Sequence, residues 1–198
     1  DYHDPLQRLL SDFDRYPRFS EAGVAITLGD IVGKLAGRLL AEKGFKQYPE
    51  FANARIEKPI VIVGMPRTGT TTLHRLLAQS PDTQALELWL GAMPMPRPPR
   101  DTWAANPAFQ QVAAQIEQMQ TAMPKMRQIH PIHADQPDEC RFALEQSFWA
   151  TSMATLASVP DYREWCLHVD ARFAYRRYRQ ILALIAGGDT RRWVLKNP

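Results

Sequence analysis

The chain has 198 residues, of which 45% are hydrophobic and 23% charged, enough for one soluble folded domain with a sizeable core and too apolar for a disordered polymer. Two cysteines, Cys140 and Cys166, exclude a disulfide-stapled scaffold and favour a reducing, cytoplasmic setting. A net charge of only +3 does not by itself point to a polyanionic partner.

The chain opens on Asp1 rather than methionine, so no targeting signal is readable. Helices are expected over residues 5–13 and 20–43. The apolar stretch 24–40 is interrupted by Asp30, Lys34 and Arg38, which makes it amphipathic rather than membrane-spanning. Gly29, Gly33 and Gly37 recur every fourth residue beside Leu28, Ile31, Val32, Leu35 and Leu39. That spacing predicts a second helix packed closely on this face, ahead of a groove for an apolar acceptor.

Residues 60–63 are apolar and rich in β-branched side chains, as in an interior parallel strand. Gly64 ends that strand, the chain turns through Pro66 to Gly69, and a helix is expected over 70–79. A short strand follows at about 84–88. Four prolines within residues 93–99 demand loop or extended chain leading into a helical insertion. Helices are expected over 107–123, 137–150, 161–167 and 171–186. In the last, Ala174, Tyr178, Ile181, Leu182 and Ile185 form one face and Gly187-Gly188 the stop. A closing strand ends at Lys196. Residues 172–196 are locally basic, but the arginines lie mostly opposite the apolar face and match no nucleic-acid motif.

The resulting fold class is α/β: a P-loop-like parallel sheet flanked by helices, with a helical cap. The expected division is an N-terminal helical segment at 1–57 and an α/β portion at 58–198, with the insertion at about 100–187. A parallel sheet needs further crossovers to cover its faces, so the C-terminal part of the domain is expected to lie beyond Pro198.

The turn between strand and helix carries the chemistry. Free amides from Gly69 to Thr72 at a helix N-terminus favour an anion, and Thr70 and Thr71 add hydroxyls. The spacing Gly64-x-x-x-x-Gly69 matches the start of a Walker A loop, but Thr70 stands where that loop needs lysine, and the basic residue is Arg67. The loop is thus poorly equipped for magnesium-bound ATP, which disfavours a small-molecule kinase.

Pro66-Arg67-Thr68-Gly69-Thr70-Thr71 resembles the 5′-phosphosulfate loop of sulfotransferases that use 3′-phosphoadenosine 5′-phosphosulfate (PAPS). It looks closest to a bacterial branch of that family and to tyrosylprotein sulfotransferases. Arg192-Trp193-Val194-Leu195-Lys196-Asn197-Pro198 resembles the family's next central strand, and Pro137-Asp138-Glu139 the start of a helical segment in the bacterial branch. The resemblance implies sulfuryl transfer from PAPS to a hydroxyl acceptor without a metal. It places the residues for the 3′-phosphate and adenine beyond residue 198. Thr68, Gly69, Thr70 and Thr71 would bind the 5′-phosphate together with Arg67. Arg67 and Lys196 would stabilise the leaving oxygen, and Glu87 would be the catalytic base.

His133 and Glu139 are possible acceptor-site residues, while His130-Pro131-Ile132-His133 makes a poor metal motif. The many apolar residues of the cap point weakly to a lipid-like or other hydrophobic alcohol. A non-catalytic nucleotide-binding module is the alternative from another class.

Overall fold

The computed structural model describes residues 1–16, 19–52, 54–65, 68–122, 124–125, 132–150, 152–153 and 157–197. Three short parallel strands form the sheet: β1 (Ile60–Ile62), β2 (Thr83–Ala85) and β3 (Arg192–Lys196). Their spatial order is β1-β3-β2, so the strand latest in sequence is the central one. Ile62 pairs with Lys196 and Ala85 with Val194, which brings the carboxyl ends of all three strands to one edge. Helix α4 (Thr70–Leu77) connects β1 to β2 and packs on β3.

The helices before the sheet are α1 (His3–Arg15), α2 (Glu21–Gln47) and the single turn α3 (Pro49–Ala52). Ser20 caps α2 by accepting the Gly23 N–H at 3.1 Å, as an N-cap serine should. After β2 come α5 (Leu88–Ala92), a 3-10 segment (Arg100–Ala105) and α6 (Pro107–Ala122). Then follow α7 (Arg141–Leu144), a 3-10 turn (Glu145–Ser147), α8 (Pro160–His168) and α9 (Arg172–Ala186). Gly187 and Gly188 end α9 in the left-handed region, with φ of 55° and 91°.

The main core lies between Trp193 and Leu195 of β3, α9 and α5, with Trp89, Trp103 and Phe109 in mutual ring contact. A second core joins α1, α2 and α8 around Leu9, Ile31, Phe148 and Tyr162.

Two expectations need correction. The helix expected over 137–150 is reduced to α7 and one 3-10 turn. Residues 134–138 instead run beside the end of β2: Trp89 and Leu88 donate to Ala134 O and Gln136 O, and Asp138 donates to Leu86 O. Glu87 bridges Pro137 in antiparallel fashion. The segment's polar backbone groups are satisfied by this long-range pairing, so a helix is not needed to satisfy them. Phe148, with φ of 49°, marks the end of the 3-10 turn.

Helix α2 also packs on a different line from the expected one: of the predicted face, Ile31 and Leu35 reach the second core while the others do not. Leu28, Val32 and Leu39 are exposed, and a Cβ at Gly29 or Gly33 would meet nothing within 4 Å. The charged stripe faces inward instead. Lys34 pairs with Asp30 and Glu145, Arg38 with Asp1, and Arg177 of α9 with Glu42. Only the third glycine meets the expectation of close contact, since a Cβ on Gly37 would lie 2.1 Å from Ala92 O of α5.

Candidate active site

The turn into α4 is shaped by Gly69. Gly69 caps α4 with φ of 87°, a conformation that favours glycine, and its carbonyl accepts the Leu73 N–H at 3.1 Å. Helix geometry leaves the amides of Thr70, Thr71 and Thr72 without intrahelical acceptors, at the positive end of the dipole. The Thr68 hydroxyl donates to Met65 O at 2.7 Å, closing the turn on itself. Pro66 and Arg67 lie outside the described residues.

Helix α4 is pinned to β3 by two side-chain contacts one turn apart. Lys196 Nζ donates to Thr71 Oγ1 at 2.8 Å, and His74 Nε2 lies 3.0 Å from Val194 O. His74 is fully buried, and burial holds its imidazole below the ordinary histidine range. A neutral ring then has to carry its proton on Nε2 to bond the carbonyl.

Lys196 is only 2% exposed, so its charge requires a partner. Glu139 provides it, with Oε1 at 3.1 Å from Nζ. Glu139 reaches this point because Cys140 N–H donates to Lys196 O at 2.9 Å, and Asp138 Oδ1 accepts Glu139 N–H at 2.7 Å. The segment therefore crosses the carboxyl end of β3. Glu139 lies outside a helix, contrary to the sequence expectation of a first helical turn, and its position comes from β3 and Asp138.

Behind Glu139 stands Arg141, whose Nε is 3.5 Å from Glu139 Oε2 and whose Nη1 is 2.9 Å from Glu145 Oε1. Burial alone would raise the Glu145 carboxyl, but Lys34, Arg141 and the Ser152 hydroxyl outweigh it and hold the group below the usual carboxylate range. Sequence reasoning passed over Arg141 and Glu145. Their i,i+4 spacing was the available signal.

Glu87 follows β2 at the same edge, as expected, but its carboxylate is engaged on another side. Oε2 accepts from Arg97 Nε at 3.2 Å and Nη2 at 3.1 Å. Arg97 also donates to Gln84 Oε1 and Ala85 O and lies over the Trp193 ring. Burial raises the Glu87 carboxyl above its ordinary value, against the pull of Arg97. Arg97 stood in the proline-rich stretch without any local signal.

Thus Thr71, Lys196 and Glu139 are brought together, Glu87 is held by Arg97, and His133 is exposed on the segment leading to Glu139. His130 lies outside the described residues. Among the described residues, no helix is long and apolar enough to cross a membrane, and no cluster of His, Cys, Asp and Glu is arranged to hold a metal ion.

Sulfotransferase STF1 from Mycobacterium tuberculosis H37Rv superposes with a TM-score of 0.89 at 39% identity, covering 100% of this chain and 54% of that one. Sulfotransferase STF9 from Mycobacterium avium gives 0.85 at 26% identity, covering 100% and 51%. The chain therefore spans about half the length of the solved structures it matches. No curated protein sequence matches it significantly. The family model described as the sulfotransferase family matches residues 59–198, from the approach to β1 through β3. With a family model matched over residues 59–198 and an overall fold shared with these proteins, the chain belongs to the sulfotransferase family.

Proposed function

We propose that the protein transfers a sulfuryl group from PAPS to the hydroxyl of a small-molecule acceptor, lipid-like or otherwise hydrophobic, in a reducing cytoplasm. The observation that carries this reading is Lys196 Nζ, held between Thr71 Oγ1 at 2.8 Å and Glu139 Oε1 at 3.1 Å beside the N-terminus of α4. A buried cation, a hydroxyl and helix-end amides form a donor set suited to a compact phosphate. A residue other than glycine at position 69 would be strained, which keeps the turn in its anion-receiving form.

PAPS supplies a sulfuryl group already activated by a phosphate leaving group. The amides of Gly69 to Thr72 and the hydroxyls of Thr70 and Thr71 hold that phosphate, with Arg67 from the adjoining turn. Lys196 and Arg67 offset negative charge on the bridging oxygen as its bond to sulfur breaks. A carboxylate takes the acceptor's proton.

Two carboxylates compete for that last role, Glu87 and Glu139. Glu87 bonds an arginine that is itself fixed by Gln84, Ala85 O and Trp193, an arrangement suited to locking the end of β2. Glu139 is in direct contact with the lysine at the phosphate turn. Glu139 is the counter-charge that buried Lys196 requires and has Arg141 behind it, so protonating it would strand that charge, whereas burial raises the Glu87 carboxyl; the base in this reading is therefore Glu87, with Glu139 holding Lys196 and His133 at the acceptor side.

The test is calorimetric titration of the full-length protein with 3′-phosphoadenosine 5′-phosphate (PAP) and with magnesium-ATP, using Arg67→Ala and Lys196→Met as controls. Micromolar PAP binding that both substitutions weaken supports the donor site. Tight magnesium-ATP binding without PAP binding refutes it. In PAPS turnover, Glu87→Gln should lower the rate by about 100-fold or more at unchanged PAP affinity. The same loss in Glu139→Gln alone, with PAP affinity kept, would move the role to Glu139.

A further inference from the structure

The proline-rich stretch 93–99 holds a single charged side chain, Arg97, and that side chain is only 14% exposed. Pro96 and Pro98 flank it. A residue before proline is held to extended backbone, so the main chain at Arg97 has little freedom. Its N–H donates to Ile185 O of α9 at 3.0 Å, which ties the stretch to the core.

The guanidinium is fixed from two strands. On β2, Gln84 Oε1 accepts Nη1 at 3.1 Å and Ala85 O accepts Nη2 at 2.6 Å. On β3, the Trp193 ring centroid lies 5.5 Å from Cζ. Gln84 is itself 3% exposed and anchored, since its Nε2 donates to Asp189 O at 3.2 Å and to Arg191 O at 2.8 Å. Arg97 therefore meets Glu87 with its own side-chain freedom already spent.

The way it meets Glu87 is one-sided. Nε at 3.2 Å and Nη2 at 3.1 Å both donate to the same atom, Oε2. A fork spread over both oxygens would occupy the whole carboxylate. Here Oε1 takes no hydrogen bond from any other described residue, and the Glu87 side chain keeps 13% of its surface open. The nearby cations Arg100 and Arg191 are turned to Asp135 and Asp189 instead.

We propose that Arg97 is a positioning residue that holds Glu87 by Oε2 and so presents Oε1 to the acceptor hydroxyl. The inference rests on the sulfuryl-transfer reading with Glu87 as the base. In the transfer the acceptor oxygen bonds sulfur, the bond from sulfur to the phosphate oxygen breaks, and the acceptor proton passes to Oε1. A carboxylate free to turn would offer either oxygen in many orientations, and fixing one of them beforehand removes that loss from the barrier. Arg97 also opposes the rise that burial imposes on the Glu87 carboxyl, which favours the ionised, proton-accepting form.

The experiment follows PAPS turnover by full-length protein, with water, phenol and octanol offered in turn as acceptors, beside PAP titration. Arg97→Ala would strand the Glu87 charge, so Arg97→Lys carries the test. Lysine keeps the charge but ends in one ammonium, which cannot serve Glu87, Gln84 and Ala85 O at once. Its kcat should fall about tenfold or more, while KM for PAPS and PAP affinity stay within about threefold of wild type. In protein already carrying Glu87→Gln, adding Arg97→Lys should change kcat by less than about threefold, because no base is left to position. A residue that only locks the end of β2 would lower the rate in both backgrounds alike.

Wild-type protein that fails to bind PAP, or that turns over PAPS with none of the three acceptors, refutes the sulfuryl-transfer reading. Glu87→Gln at the wild-type rate refutes the base. With both of those intact, three results overturn the positioning role: an Arg97→Lys rate within about threefold of wild type, a loss of PAP affinity alongside the rate, or a loss that repeats in full on Glu87→Gln.

Discussion

Gly37→Ala and Gly33→Ala place the same methyl group on the same helix, one turn apart, with opposite expected outcomes. At Gly37 the new Cβ would sit 2.1 Å from Ala92 O, whereas ordinary contact begins at 3.4 Å, so about 1.3 Å must be made up. Ala92 ends α5, which carries the fully buried Trp89 and Leu90, and Gln146 anchors the same turn through Gly91 O at 3.2 Å. Neither backbone can retreat without disturbing the core. Overpacking of this kind costs roughly 1–3 kcal/mol, and a displaced helix belongs at the upper end. Better helix propensity returns about 1 kcal/mol, leaving a net loss of about 1–2 kcal/mol.

At Gly33 nothing lies within 4 Å, so only the propensity gain of about 0.5–1 kcal/mol applies. The two variants should differ by about 2–3 kcal/mol, or roughly 4–12 °C in Tm for a chain of this size. Urea titration followed by circular dichroism, with equal m-values as the check for two-state behaviour, measures the difference. Equal stability of the two variants would refute the close approach of α2 to α5.

Three further outcomes follow from the site. Thr71→Val removes the hydroxyl partner of Lys196 while keeping volume, and should weaken PAP binding about tenfold in calorimetry; unchanged affinity would exclude Thr71 from the phosphate cradle. Glu145→Gln should cost about 3 kcal/mol near neutral pH, because it leaves Lys34 and Arg141 short of a buried counter-charge. The folded-state value of Glu145 is depressed, so its contribution is present above the unfolded carboxylate value of about 4.5 and is lost as pH falls through the lower folded value. The wild-type advantage in denaturant titrations should accordingly shrink below about pH 4.5, and an advantage that grows there would refute the pairing. His74 is held neutral by burial, so stability should decline as pH drops below about 6.5, and His74→Gln should lose that slope. A slope equal to wild type would assign the titration elsewhere.

What could be read beforehand depended on locality. The start of α4 was legible because Gly69 and the run of threonines after it are adjacent residues acting on one another. The stop of α9 at Gly187-Gly188 was legible for the same reason. Residues 134–140 were not, because their hydrogen bonds go to Leu86, Leu88, Trp89 and Lys196, 45 to 56 positions away. The orientation of α2 was misread because its charges find partners in Asp1, Glu145 and Arg177, none of them visible from the helix itself. Once those partners exist, Lys34 and Arg38 can go inward beside Ile31 while Leu28, Val32 and Leu39 stay exposed. Glu87 was placed at the correct sheet edge, but nothing in the surrounding residues announced the clasp by Arg97.

The strand order β1-β3-β2 also governs the timing of folding. Neither outer strand touches the other, so the sheet cannot begin until β3 arrives, and the pairing of Ile60 with Val194 closes a loop of more than 130 residues. The entropy of that closure falls on a single event, which makes it slow compared with forming α2 or α9 from local contacts. Until then Val61 lacks its neighbour Leu195, and Lys196 has not yet reached Thr71. The contact of Lys196 with Thr71 and the sheet are therefore completed in one step, and a molecule that has joined α4 to Lys196 has, by the same contact, committed its central strand.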